Sequence, residues 1–179
     1  MSSKLQLLFA GTYDNLDNAW AVPTTVLHGS GTGVVATTGG FYSGPRGCVI
    51  TDIYYLARDL TFTDPAGEVH IGWRVRTSVD GGATLVTQAT VWATNDCPRI
   101  WDDTANDSAD FSLDQPIRAH AWYAAGAGGL EDNFFGDLVI LANAHVTVEV
   151  APVLDQALVN MPAADLDSFD VLVYGFLKG

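Results

Sequence analysis

Glu68-Val69-His70-Ile71-Gly72-Trp73-Arg74-Val75-Arg76 decides the fold class. Val69, Ile71, Trp73 and Val75 fall on one parity, and His70, Arg74 and Arg76 on the other. Successive side chains of a strand point to opposite faces, so this alternation marks a half-buried β-strand. The same period recurs in both directions along the chain. Ile117–Tyr123 sends Ile117, Ala119, Ala121 and Tyr123 inward and leaves Arg118 and His120 outward. Asp137–Val150 reads as one long strand, with Ala142, Ala144, Val146, Val148 and Val150 on one face and Asn143, His145, Thr147 and Glu149 on the other. Phe169–Leu177 is apolar on both parities and predicts a more buried strand. Further strands are predicted at Leu5–Phe9, Trp20–Leu27, Gly33–Thr37, Cys48–Ala57 and Thr84–Thr94, eight or nine in all.

Turn signals separate these runs: Gly29–Gly33, Gly39-Gly40, Ser43–Pro45, Asp64–Gly67, Asp80–Gly82 and Gly126–Gly129. Asp80-Gly81-Gly82 between two alternating runs predicts a hairpin. One short helix is expected at Val153–Asn160, bracketed by Pro152 and Pro162, with Leu154, Ala157 and Leu158 at helical spacing. Long loops fall at 95–116 and 160–168. Many antiparallel strands with long connections predict an all-β, two-sheet antiparallel β-sandwich of jelly-roll type with at most one short helix. An up-and-down barrel is the alternative. The chain reads as a single domain over 1–179, with 1–19 available as an N-terminal arm.

Composition narrows the function. The 179 residues hold 8 Lys and Arg against 21 Asp and Glu, a formal net charge of −13. The acids divide into 18 Asp and 3 Glu, and only Lys4 and Lys178 are lysines. An Asp-rich, Glu- and Lys-poor chain argues against helix bundles, which lean on Glu, Lys and Leu. It also lacks the cationic face that a nucleic-acid backbone requires. A hydrophobic fraction of 48% can build a core, which excludes a disordered acidic tail. Most Asp residues fall in predicted turns and loops, which leaves the strand faces nearly neutral. Met1–Ala10 has one basic residue and a short apolar run interrupted by Gln6, so no export signal is expected. The most apolar internal run, Leu138–Ala142, is far short of the roughly 20 residues of a membrane span. No membrane partner is expected.

Candidate chemistry is sparse. His70, His120 and His145 lie on polar strand parities, and neighbouring strands would let them converge near Glu149 on a Zn²⁺ or Ni²⁺ ion. Unrelated surface histidines are the plainer reading. The stretches Trp101–Asp110, followed by Asp114, and Tyr13–Asn18 offer the hard oxygen donors that Ca²⁺ uses, but neither has the EF-hand pattern. Solvated Asp/Asn turns account for both without a metal. No Gly-x-Ser-x-Gly elbow exists to anchor a hydrolase triad, and the scarce acids Glu68, Glu131 and Glu149 single out no catalytic pair. No catalytic, cofactor or metal residue is assigned, and the chain is read as a non-enzyme. Cys48 and Cys97 are each expected as a small buried hydrophobe, with one bridge between them as the alternative. Trp73 sits on a core parity, whereas Trp101 and Trp122 fall where an exposed ring would stack on a sugar or anchor a protein contact.

The chain starts at Met1 with a short arm, is rich in Gly, Ala, Thr and Val, and ends on Phe169-Asp170-Val171-Leu172-Val173-Tyr174-Gly175-Phe176-Leu177-Lys178-Gly179. In this build it resembles the jelly-roll virion proteins of tailed viruses, capsid decoration (cement) or spike proteins, which are usually trimers. The terminal Val173-Tyr174-Gly175-Phe176-Leu177 is also similar to the closing strand of trimeric tumour-necrosis-factor/C1q-like jelly rolls. The resemblance implies a non-enzymatic protein on the capsid exterior, a homotrimer bound to the major capsid protein and stabilising its lattice. The alternative is a carbohydrate- or receptor-binding β-sandwich module, lectin-like or a tail/spike adhesin.

Overall fold

The computed structural model describes residues 4–14, 16, 19–29, 39–59, 69–80, 83–91, 99–101, 117–118, 123–124, 137–154, 157–158 and 168–179. Among them the chain forms thirteen strands and no helix. In order they are β1 (Gln6–Asp14), β2 (Thr25–Gly29), β3 (Phe41–Tyr42), β4 (Cys48–Asp59), β5 (Val69–Ser78), β6 (Val86–Val91) and β7 (Arg99–Trp101). There follow β8 (Ile117–Arg118), β9 (Tyr123–Ala124), β10 (Leu138–Ile140), β11 (His145–Leu154), β12 (Ala157–Leu158) and β13 (Ser168–Leu177). They make two antiparallel sheets. Sheet A runs β10-β4-β13-β1-β2, with β8 also on β4. Sheet B runs β12-β11-β5-β6-β9, with β3 on β11 and β7 on β5.

One hydrophobic core draws on both sheets, an arrangement compatible with a sandwich. Sheet A contributes Phe9, Ile53, Tyr55, Val171 and Val173, and sheet B contributes Ile71, Trp73, Val75, Val146, Val148 and Val150, all fully or almost fully buried. The inward parity expected for Ile71, Trp73 and Val75 is therefore the one observed. Across the core the Tyr13 hydroxyl donates to the Val148 carbonyl at 2.5 Å, joining β1 to β11. Burial pushes that hydroxyl well above its ordinary pKa, and the Glu149 carboxylate adds to the rise. Of the stretch 1–19, Gln6–Asp14 are β1, between β13 and β2.

Four expectations about elements are corrected. The stretch 95–116, expected as a loop, contains β7, which sets Trp101 opposite Val69. The long strand over 137–150 is two strands, β10 in sheet A and β11 in sheet B. Asn143 lies between them at φ 58°, a left-handed conformation that Asn tolerates better than most residues. The crossing is clamped from β3's end of the chain: Ser43 Oγ donates to the Leu141 carbonyl and accepts from Ala144 N, while Asn143 N donates to the Gly44 carbonyl. The strand over 117–123 is likewise divided, with β8 on β4 in sheet A and β9 on β6 in sheet B. The helix expected at 153–160 is replaced by strand pairing, Val153 opposite Leu158 and Leu154 opposite Ala157. Pro152 lies within β11, opposite Ile71, so it does not cap a helix.

The hairpin predicted around Asp80 is present as the antiparallel pair β5–β6, with Thr77 opposite Val86. Two bulges flank one point of β13. Thr51 is the extra residue between Asp52 opposite Tyr174 and Ile50 opposite Gly175. Leu8 is the extra residue between Leu7 opposite Tyr174 and Phe9 opposite Val173. Gly175 sits between them because a Cβ there would collide with the Val49 carbonyl and come 2.8 Å from Leu8 Cδ1. Each bulge reverses the parity of its strand, so Ile50 and Ile53 both reach the core across an odd spacing.

Candidate functional site

The two sheets present chemically different outer faces. On sheet B the face opposite the core carries a polar ladder, with His145 opposite Ser78, Thr147 opposite Arg76, and Glu149 opposite Arg74. Glu149 is nearly fully buried, and its carboxylate receives Arg74 Nε at Oε2 and Arg76 Nη1 at 3.3 Å on Oε1. Arg76 Nη2 also donates to the Leu85 carbonyl at 3.3 Å. The Arg74 guanidinium stacks 4.6 Å from the centre of the Trp20 ring. An isolated bridge between Ala21 and Val150 holds the Trp20 segment against this edge of β11. One carboxylate is thus held by two cations, one of them under an indole, while Arg76 Nε is buried without a hydrogen-bond partner.

On sheet A the outer face is apolar. In rows across the strands, Val139, Val49 and Phe176 are neighbours, then Asp52, Tyr174 and Leu7, then Tyr54, Leu172 and Ala10. Val139 is 52% exposed and Leu5, just before β1, is 51% exposed. Val49, Tyr54, Leu172, Tyr174 and Phe176 are half-buried. The Tyr54 and Tyr174 rings meet edge to face, 5.9 Å between centres at 88°. With Leu5, Asp52 and Leu172 they line an open depression of about 310 Å³. Asp52 sets one carboxylate at the rim of an otherwise aromatic and aliphatic surface.

The residues singled out in the sequence fare differently. His70 and His145 do not converge. His70 lies opposite Val153 and His145 opposite Ser78, eight residues apart along β5, about 26 Å at ~3.3 Å per residue. Glu149 belongs to the arginines. His145 is half-buried, its Nε2 3.3 Å from Thr147 Oγ1, and burial lowers its pKa below the ordinary value. Among the described residues no group of three His, Cys, Asp or Glu side chains is placed to hold a metal. His120, Trp122, Glu68, Glu131, Cys97 and the Asp-rich stretch 102–110 lie outside the described residues, as do Asn15, Asp17 and Asn18. Cys48 is a buried free thiol whose pKa burial raises to about 11, against a lowering by Lys178. Trp73 is in the core, as its parity predicts.

Two features were missed. The ion-pair network needs the β5–β11 register, which no local pattern states. The Asp52–Tyr174 pairing needs the bulge at Thr51, without which Asp52 shares the core parity of Ile50. The fold thus defines an all-β, two-sheet protein. Compared with known proteins, the chain matches no family model, no curated protein and no solved structure.

Proposed function

We propose that this chain is a non-enzymatic structural protein of the jelly-roll kind, which acts by assembly as a decoration (cement) protein on the outside of a viral capsid. The outer face of sheet A carries the reading. It keeps Tyr54, Leu172, Tyr174, Phe176 and Val139 in partial contact with solvent, where an isolated domain gains by charged residues. Half-buried tyrosines on a sheet are favourable anchors, because they bury further area at a small cost in side-chain entropy. The acid excess, which the sequence assigns mainly to turns and loops, would keep assembled particles apart.

The jelly-roll reading is supported by nested strand pairs. β5 with β6 is innermost, β4 with β10 encloses it, β3 with β11 encloses that, and β1 with β13 is outermost. A long hairpin rolled on itself brings its pairs into contact as β4 beside β13 and β5 beside β11. Trimer formation and a major capsid protein as partner are part of the same proposal. Light scattering on the purified chain tests it, with three times the 19.1 kDa chain mass expected. A monomer at all concentrations that binds a defined sugar on a glycan array, with binding lost in Trp101→Ala or Trp122→Ala, would overturn it in favour of the carbohydrate-binding module.

A further inference from the structure

The depression on sheet A has a composition that selects among partners. Its walls are the ring of Tyr54, the ring of Tyr174 nearly perpendicular to it, and the side chains of Leu5 and Leu172. Its polar member is Asp52, directly opposite Tyr174 in the ladder and two residues from Tyr54. Aromatic faces carry negative charge density and attract cations within about 6 Å of the ring centre. A carboxylate beside two such rings adds a full charge of the same sign. Aliphatic walls suit the methylene stem of a long cationic side chain, whose head then reaches the carboxylate. The whole chain carries −13, so its field favours the approach of a cation and opposes that of an acidic group.

The geometry points to the Leu5–Asp52–Tyr54–Leu172–Tyr174 depression as a docking pocket for a lysine or arginine side chain of a partner protein. This inference rests on the assembly role proposed above and supplies the chemistry of the contact: a basic residue on the partner enters the depression while the surrounding apolar face covers it. A second copy of this acidic chain, docking through its own apolar face, is the competing occupant. Charge repulsion between copies disfavours it at this point of the surface.

The test uses three capped tripeptides, Gly-Lys-Gly, Gly-Arg-Gly and Gly-(Nε-acetyllysine)-Gly, titrated into the isotopically labelled full chain while the ring resonances of Tyr54 and Tyr174 are followed. Saturable shifts are expected with the lysine and arginine peptides and none with the acetyllysine peptide. Raising salt to about 0.5 M, where screening acts within a few ångströms, weakens the binding. Asp52→Asn weakens it about two- to fivefold, the range of an exposed cation–π or surface ion contact. Tyr174→Leu keeps the apolar wall and removes the ring, with a similar loss, and thermal melts verify that both variants fold. Equal shifts with acetyllysine, unchanged affinity in Asp52→Asn, or no saturable shift with any peptide overturns the inference. Light scattering on the same samples separates the two proposals. An oligomer without lysine-dependent shifts overturns the cation pocket alone, and a monomer with them overturns self-assembly alone.

Discussion

The outer faces of the two sheets solve the same problem in opposite ways. On sheet B, Glu149 is buried at the surface of the sheet because Arg74 and Arg76 converge on it and Trp20 lies along Arg74. Both arginines there share the one carboxylate. On sheet A the central strands β4 and β13 present tyrosine, leucine and phenylalanine to partial solvent, with Asp52 at the depression and Asp170 buried against Thr12 Oγ1 at 2.7 Å. The first face pairs its charges within the fold. The second leaves apolar side chains in partial contact with solvent.

The largest effect is expected where the outer face of sheet A depends on bulged backbone. Gly175→Ala drives a methyl into the Val49 carbonyl between the two bulges, and urea denaturation should report a loss of about 3 kcal/mol or more. An unchanged midpoint would mean that β4 and β1 can pair with β13 at this point without the close approach of the Val49 carbonyl. Next comes the network on sheet B. Glu149→Gln leaves two arginines facing a neutral amide, and about 2 to 3 kcal/mol should be lost, less than for a fully buried pair because each arginine side chain is 24% exposed. Its counterpart on sheet A is Tyr174→Ser. There stability should fall by about 1 kcal/mol or less, while the shifts induced by the lysine peptide at the depression weaken. The reverse ranking of the two variants would erase the distinction between the faces.

The smallest effect lies at the exposed hairpin. Asp80 accepts from the Ser78 hydroxyl and from Thr84 N, and these bonds hold its carboxyl down at about 2. A depressed folded-state value means that its contribution to stability is present above the unfolded value near 3.8 and is lost as pH falls through about 2. The carboxyl resonance should titrate at about 2, and Ser78→Ala should raise the midpoint. A midpoint that stays put in Ser78→Ala would assign the shift to Thr84 alone.

Legibility in the sequence followed the range of each interaction. The β5 alternation and the Asp80 hairpin are local, and both can be read from the residues themselves. Val171 and Val173 sit in the core while Leu172, Tyr174 and Phe176 are half-buried on the outer face, a division that a run apolar on both parities does not state. What failed to show is where a continuous pattern changes sheet. Ala142 and Ala144 flank Asn143 with unbroken alternation, yet the chain turns there, because Ser43 and Gly44, a hundred residues earlier, bond that turn. Leu154, Ala157 and Leu158 fit a helix as well as a hairpin, and the pairing across β11 decides between them.

The sites divide along the same line. Glu149 and Arg74 could each be noted as polar-parity residues, but the register that sets them opposite is non-local. His70 and His145 were equally suggestive on parity, and register places them at opposite ends of a ladder. By itself the sequence determined that this is an all-β chain, acidic in its loops and nearly neutral on its strands, because side-chain period and turn chemistry act over a few residues. Only the tertiary structure decided which face each strand shows and what stands opposite it. A single inserted residue such as Thr51 inverts a parity, and strand register is set by partners far away in the chain.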